Sequence, residues 1–583
     1  MISRIMIEAK HSTPKHEWSR MFAQPLRYCT HTLATLSLLL GGACQETNLA
    51  VQRATVPDEN VISIEGNEKE FSQKRRLAEA DPFQGVAADE PQAALIGRDI
   101  LAAGGSAADA SLAMYFTLAV TLPSTASLGG GGVCLVHESV TGRTIILDFT
   151  ATAPTSLPPK ATRASATPGV VKGMYELHRR YGRASWGKLI KPAEQLARFG
   201  VPVSRALAND LRLAATDFFM DPNAKFIFAN PDGTPLAEGD ILEQFNLARV
   251  LTRLRRHGVG DFYTGQTATA LIHGAELGKA SLSRADLGNT QALWRDPVAT
   301  EIGQFTVFTS PRPTAGAVTA LQIWAMVANT NRYVESSETE RKHLFAESSM
   351  RAFLDRGSKL FVDGDEAAPL NELLDQKYLG KLMSSYKPNG HVVPEELLRL
   401  PHTDIENPSA TSFLVIDKDG LAVACLVSLH NLFGIGRIAN ETGIVLAAAP
   451  NRRGTGPQSL APMLILDRTS GDFKMIAAAT GGAAAPTALG WTVTNIFLGN
   501  LSFPNAMWVP RLHHGGRPDR VLFEPGTPKE WLTGLERRGH IVAGTREIGR
   551  INAFHCEFGL VAGKLCLYGS DPRGHGLAIS LNQ

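Results

Sequence analysis

The chain has 583 residues, of which 44% are hydrophobic and 20% charged, with a formal net charge of +2. That balance fits a large folded protein and excludes a disordered or collagen-like one. The near-neutral charge, and the lack of a basic block with interleaved aromatics, give no reason to expect nucleic acid as a partner.

Residues 21–44, MFAQPLRYCTHTLATLSLLLGGAC, carry Arg27, then an apolar run over 33–40, then small residues. This is a secretory leader layout, too short to span a bilayer. Residues 1–20 are long and charged for a leader, so Met21 is a candidate start. The segment LGGAC at 40–44 resembles a bacterial lipobox, with Gly41 where that box usually has Leu. Two readings stand side by side: a lipid on Cys44 that attaches the protein to a membrane, and a plain cleaved leader. Either one makes the protein exported, periplasmic or envelope-associated in a bacterium. Residues 45–81 are polar and aperiodic and read as a disordered tether.

The spacing of apolar residues predicts a helix over 91–103, ended by Gly104-Gly105. Ser106 caps a second helix over 107–118. The stretch 127–149 reads as a glycine run, a strand, a turn at Thr141-Gly142 and another strand. Residues 173–400 read as mainly helical, and strands return after 410. Helices between two groups of strands predict a layered α/β arrangement. None of the six cysteines has metal-ligand spacing. Cys134 and Cys425 lie in apolar runs and read as core residues. Cys556 and Cys566 flank a Gly-containing turn, and pairing or remaining free are both open to them.

Residues 406–420, ENPSATSFLVIDKDG, join a loop to a strand over 412–416 and a turn at 417–420. Hydroxyls at a strand start are a place for a nucleophile. Seen with the rest of the chain, the order of motifs resembles the γ-glutamyltranspeptidase family (γ-glutamyltransferase, glutathione hydrolase). The motifs are AAGGSAADASLA (102–113), SLGGGGVCLV (127–136), ATPGVVKGMYELHRRYG (166–182), DFYTG (261–265), SPRPTAG (310–316) and GSDPRGHG (569–576). The resemblance covers nearly everything from Gly85 onward. It implies the N-terminal-nucleophile hydrolase fold, a four-layer αββα sandwich. It divides the chain into a large-subunit-like part, 82–409, and a small-subunit-like part, 410–583. It also implies self-cleavage before a Thr whose hydroxyl then attacks a γ-glutamyl amide, and it calls for no cofactor and no metal.

The chemistry the resemblance implies is largely missing from the residues. The family strand begins Thr-Thr-His; here the ungapped match is Ala410-Thr411-Ser412. Ala410 therefore takes the nucleophile's place, and alanine has no attacking atom. Thr150 stands where an Arg grips the substrate carboxylate, and Arg452 where an Asp holds its amino group. Gln458-Ser459 replaces a Ser-Ser pair, and Ser428-Leu429-His430 replaces Thr-x-Asn. Ser428 is left as a supporting hydroxyl. Gly481 and Gly482 match the pair of backbone donors that hold the oxyanion, and they also have a plain tight-turn reading. Arg511, His513, Asp571 and Arg573 read as architectural.

The expectation is a pseudoenzyme: a single uncut chain without ordinary γ-glutamyl transfer, with an unknown small-molecule ligand. Arg452 argues for an anionic one. The alternative is an active glutathione hydrolase or other amidohydrolase of altered specificity, with Thr411 or Ser409 as nucleophile. Strand alternation turns a hydroxyl slipped by one residue away from the site unless a bulge intervenes.

Overall fold

Thirteen strands of the computed structural model build two facing sheets. The residues described are 82–156, 164–328, 331–360, 368–395, 410–450, 459–561 and 563–582, all within the unit Gly66–Gln583. The leader, the tether, Ser409, Arg452 and Gln458 lie outside the described residues.

The strands are β1 (Gly85–Ala88), β2 (Gly131–Glu138), β3 (Arg143–Phe149), β4 (Leu293–Arg295), β5 (Val298–Ile302), β6 (Phe305–Thr309), β7 (Ala410–Ile416), β8 (Leu421–Ser428), β9 (Ala461–Asp467), β10 (Phe473–Thr480), β11 (Arg550–His555), β12 (Leu567–Ser570) and β13 (Leu577–Ser580). One sheet has the order β13-β1-β7-β8-β2-β3-β4 and the other β12-β11-β10-β9-β6-β5. Every pairing within them is antiparallel.

Side chains alternate across each sheet, and this alternation produces the layers. From β7 and β8, Leu414, Ile416, Ala424 and Leu426 point inward against Leu464 and Ile476 of the facing sheet. Their neighbours Phe413, Val415 and Val423 point outward into a helical layer holding Met114 and Phe116. That layer includes α1 (Pro91–Ala102) and α2 (Ala107–Thr121). On the other outer face, α3 (Gly316–Ala328) and α5 (Ala485–Phe497) bring Leu321, Trp324 and Leu489 onto Met463, Ala477 and Ile551. Between them in the chain, α4 (Glu338–Asp355) contributes a further buried cluster. The result is the expected four-layer αββα sandwich. Each large apolar side chain fully withdrawn from water contributes about 1.5–3 kcal/mol before entropy is set against it.

Local signals hold where expected. Ser106 and Asp109 form a reciprocal cap on α2, and α2 runs three residues past the predicted end. The reading of 173–400 as mainly helical missed β4, β5 and β6. Short strands with half-exposed alternation, turned by Gly303 at φ 60°, sit between long amphipathic helices and are masked by them. Cys134 and Cys425 are core residues as expected, both 0% exposed, and they are also paired. They face each other in register on β2 and β8 and are bonded, as are Cys556 and Cys566.

Candidate functional site

The matched positions gather at one end of the sandwich because sheet register puts them there. Ala410 opens β7 and pairs with Ser428, the last residue of β8. Ser428 pairs with Gly131 of β2, and Gly132 pairs with Phe149, so Thr150 follows one rung on. Ala410, Ser428 and Thr150 thus sit along one edge of one sheet. By alternation all three belong to the face turned toward the second sheet. There, Ala461 pairs with Ala479, which sets Ser459 beside the Gly481-Gly482 turn that ends β10. Asn552 stitches the two sheets together at this end, donating to Ser412 Oγ at 2.8 Å.

The register between β7 and β8 is unbroken from Ala410 to Ile416, with no bulge. Thr411 therefore points to the opposite face from Ala410. It is 1% exposed, and its hydroxyl donates to Asp89 Oδ2 at 3.0 Å. Asp89 also accepts from the Ser412 amide at 2.9 Å and from Asn552 Nδ2 at 2.7 Å. Burial pushes the Asp89 carboxyl above its ordinary range, against the pull of these donors and of the Arg550 charge. Asp210, half-buried and bonded to Ser124, is likewise raised to about 6 by desolvation, with Arg550 again opposing the shift.

The remaining matched residues are engaged locally. Thr150 donates from its amide and its hydroxyl to Asp148 Oδ1, at 3.1 and 3.0 Å. The other Asp148 oxygen is held by Arg295 at 2.8 Å. Ser459 Oγ accepts from the buried Arg356 at 3.0 Å. His430 has a left-handed backbone, φ 65°. Its amide donates to Ser428 Oγ at 2.8 Å and its Nδ1 to the Ala448 carbonyl at 2.7 Å. Burial lowers its pKa to about 4, so the ring is neutral and its orientation fixed.

Gly481 and Gly482 both take positive φ, 114° and 61°. A Cβ on Gly481 would lie 2.7 Å from Gly549 Cα, so close packing alone requires glycine there. Gly549 is in turn held by Arg511, whose Nη1 donates to its carbonyl at 2.8 Å and whose Nη2 meets Asp571 at 2.6 Å. Arg573 links Asp571 to Glu524. His513 bonds Thr487.

Asp89, Asn552, Arg295 and Arg356 have no counterpart in the sequence reading. Asp89 is 322 residues from Thr411 and carries no local signal. Its neighbour Glu90 caps α1, which gives the pair a sufficient structural explanation from sequence.

The family model described as Gamma-glutamyltranspeptidase matches residues 93–452 and 447–581. The glutathione hydrolase proenzyme of Escherichia coli K12 is 29% identical over 541 residues, covering 84% of this chain and 90% of that protein. The glutathione hydrolase proenzyme of Pseudomonas aeruginosa is 27% identical over 539 residues, covering 85% and 94%. Among solved structures, cephalosporin acylase from Bacillus halodurans has the same fold, with a TM-score of 0.74 at 22% identity, covering 86% of this chain and 96% of that one. From the strand ends that collect the matched residues to the family match along nearly the whole described fold, the chain belongs to the γ-glutamyltranspeptidase family.

Proposed function

We propose that this protein is a γ-glutamyltranspeptidase-family pseudoenzyme that stays a single chain and does not carry out ordinary γ-glutamyl transfer. The observation that carries this reading is Ala410 at the first rung of β7, in unbroken register with Ser428. A methyl group there offers neither a hydroxyl to attack an amide nor an oxygen to which the preceding peptide bond could shift. The clamp positions agree: Thr150 is turned back onto Asp148 and has no charge to offer a carboxylate.

The rival reading has its own observation, the Thr411 hydroxyl bonded to the Asp89 carboxylate with Asn552 orienting the acid. That is the pattern of nucleophile, base and orienting group. The 1% exposure of Thr411 and its place on the helix-facing side favour a structural role for the trio. For the ligand, Arg356 beside Ser459 supports the anionic small molecule expected from Arg452, whereas Arg295 is already balanced by Asp148. A calorimetric screen in which no anion binds removes that part. Export is supported by the two disulfides, which persist in oxidising compartments.

A reducing denaturing gel of the mature protein tests the main reading. One band at full mature length, and no turnover of γ-glutamyl-p-nitroanilide, are expected. Fragments cut near 409–411, or turnover lost in Thr411→Val, would overturn it.

A further inference from the structure

A second set of chemistry-bearing side chains lies in the helical layer beyond the second sheet, with no part in the strand-end site. His343 and Glu347 are on one face of α4, and both are 0% exposed. His540 approaches them from the loop before the strand Val542–Gly544 and is 4% exposed. One nitrogen or oxygen from each of the three lies within 4.8 Å of the others.

Hydrogen bonds fix which atoms face inward. His343 Nε2 lies 2.8 Å from the Lys387 carbonyl. A carbonyl only accepts, so Nε2 carries the proton and Nδ1 presents a lone pair. That lone pair faces His540 Nε2 at 2.7 Å. Glu347 Oε1 is 3.7 Å from the same His540 nitrogen. The other His540 nitrogen, Nδ1, is buried and has no hydrogen-bond partner. The polar contacts of the ring are thus all on the His343 and Glu347 side. In a tetrahedral zinc site with bonds near 2.0–2.1 Å, ligand atoms stand about 3.3 Å apart. The two spacings at His540 lie on either side of that value.

The surroundings have the form of an outer shell. The Lys387 carbonyl backs His343. Arg351 holds Glu347 Oε2 at 2.6 Å. His391 Nδ1 meets Glu347 Oε1 at 2.5 Å, and its Nε2 reaches Asp519 at 3.0 Å, where His514 also binds at 3.1 Å. Histidines and carboxylates locked from behind in this way orient ligands and raise their affinity. Asp519 adds a second carboxylate to a cluster in which Arg351 already balances Glu347.

We propose that His343, Glu347 and His540 bind one divalent transition metal ion of the zinc class, which fastens α4 to the loop at His540. Two imidazoles with one carboxylate suit zinc over magnesium or calcium, which take oxygen ligands. Binding moves the His540 proton from Nε2 to the unpartnered Nδ1 and frees Nε2 as a ligand. The three ligands are buried, and a tetrahedral ion held by them keeps a fourth position for a water.

The test uses the whole mature protein, stripped with a chelator and then given Zn2+ or Co2+ alone. One zinc per chain is expected, with a higher melting temperature, and Co2+ should give the visible absorption of a tetrahedral nitrogen–oxygen site. His540→Asn and Glu347→Gln should abolish stoichiometric binding. His391→Asn, which acts through Glu347, should weaken it about 10–100-fold. If the ligand variants fail to fold, the wild-type cobalt spectrum and His391→Asn decide. No stoichiometric zinc and no cobalt band in the wild type would overturn the proposal and leave the cluster as a proton-filled hydrogen-bond network. Binding unchanged in His540→Asn and Glu347→Gln would also overturn it.

Discussion

Two neighbouring regions meet at Gly481 and Gly549, and their chemistry differs sharply. On one side, at the start of β7, stand the small uncharged residues Ala410, Thr150 and Ser412. On the other, Arg511 and Asp571 keep a fully buried ion pair, with side chains 0% and 1% exposed, extended by Arg573 and Glu524. The difference teaches which residues folding depends on. A small uncharged residue at a half-buried strand end can change without leaving an unpaired charge. A buried ion pair cannot lose one partner without stranding the other.

Mutations can break or sharpen this contrast, and the two disulfides should show its largest effect. In the loop-entropy picture, the Cys134–Cys425 bond closes 291 residues and is worth about 6 kcal/mol, against about 3 kcal/mol for Cys556–Cys566, which closes 10. Denaturant unfolding of the two double Cys→Ala variants should rank them in that order. Equal losses would show that strand packing, and not the crosslink, fixes β2 against β8.

Asp571→Ala comes next. It leaves Arg511 buried and unpaired and should cost about 3–5 kcal/mol in urea unfolding. A loss under about 1 kcal/mol would erase the contrast.

The Thr411–Asp89 contact is smaller. Thr411→Val removes one donor from a buried acceptor and should cost about 1–2 kcal/mol. Asp89 also gives a pH signature. Its folded pKa is raised above the 3.8 of an ordinary aspartate, so between those two values the native state holds a proton that the unfolded state has lost. Stability from this group therefore falls as pH rises from about 4 to the folded pKa. Asp89→Asn should flatten that slope, and an unchanged profile would show that Asp89 does not resist ionisation.

The smallest effect belongs to the first rung of β7. Ala410→Thr places a β-branched residue at a half-buried strand end and should change stability by under about 1 kcal/mol. A loss of several kcal/mol would show that the methyl is tightly packed.

Much of this was legible in sequence, for identifiable reasons. The fold followed from motif order, and α1 and α2 from apolar spacing and the Ser106 cap. The ungapped match puts Ala410 at a strand start, and β7 begins there. What stayed hidden was long-range. The Asp89–Asn552 bond spans 463 residues, and no local pattern announces it. The partner of Cys134 sits on a strand 291 residues away. The imidazole cluster draws on α4, a loop and two late turns, each with only one or two histidines.

The Cys134–Cys425 bond has a further consequence. Cys134 belongs to the part that would form a large subunit and Cys425 to the part that would form a small one. The bond straddles the boundary at which the family divides its precursor. Were the segment before Ala410 nicked by any protease, the two pieces would remain one covalent molecule. They would migrate together without reductant and separate only with it. Migration on a non-reducing gel is therefore silent about whether this chain is cut, and the two halves cannot be lost from each other by dilution.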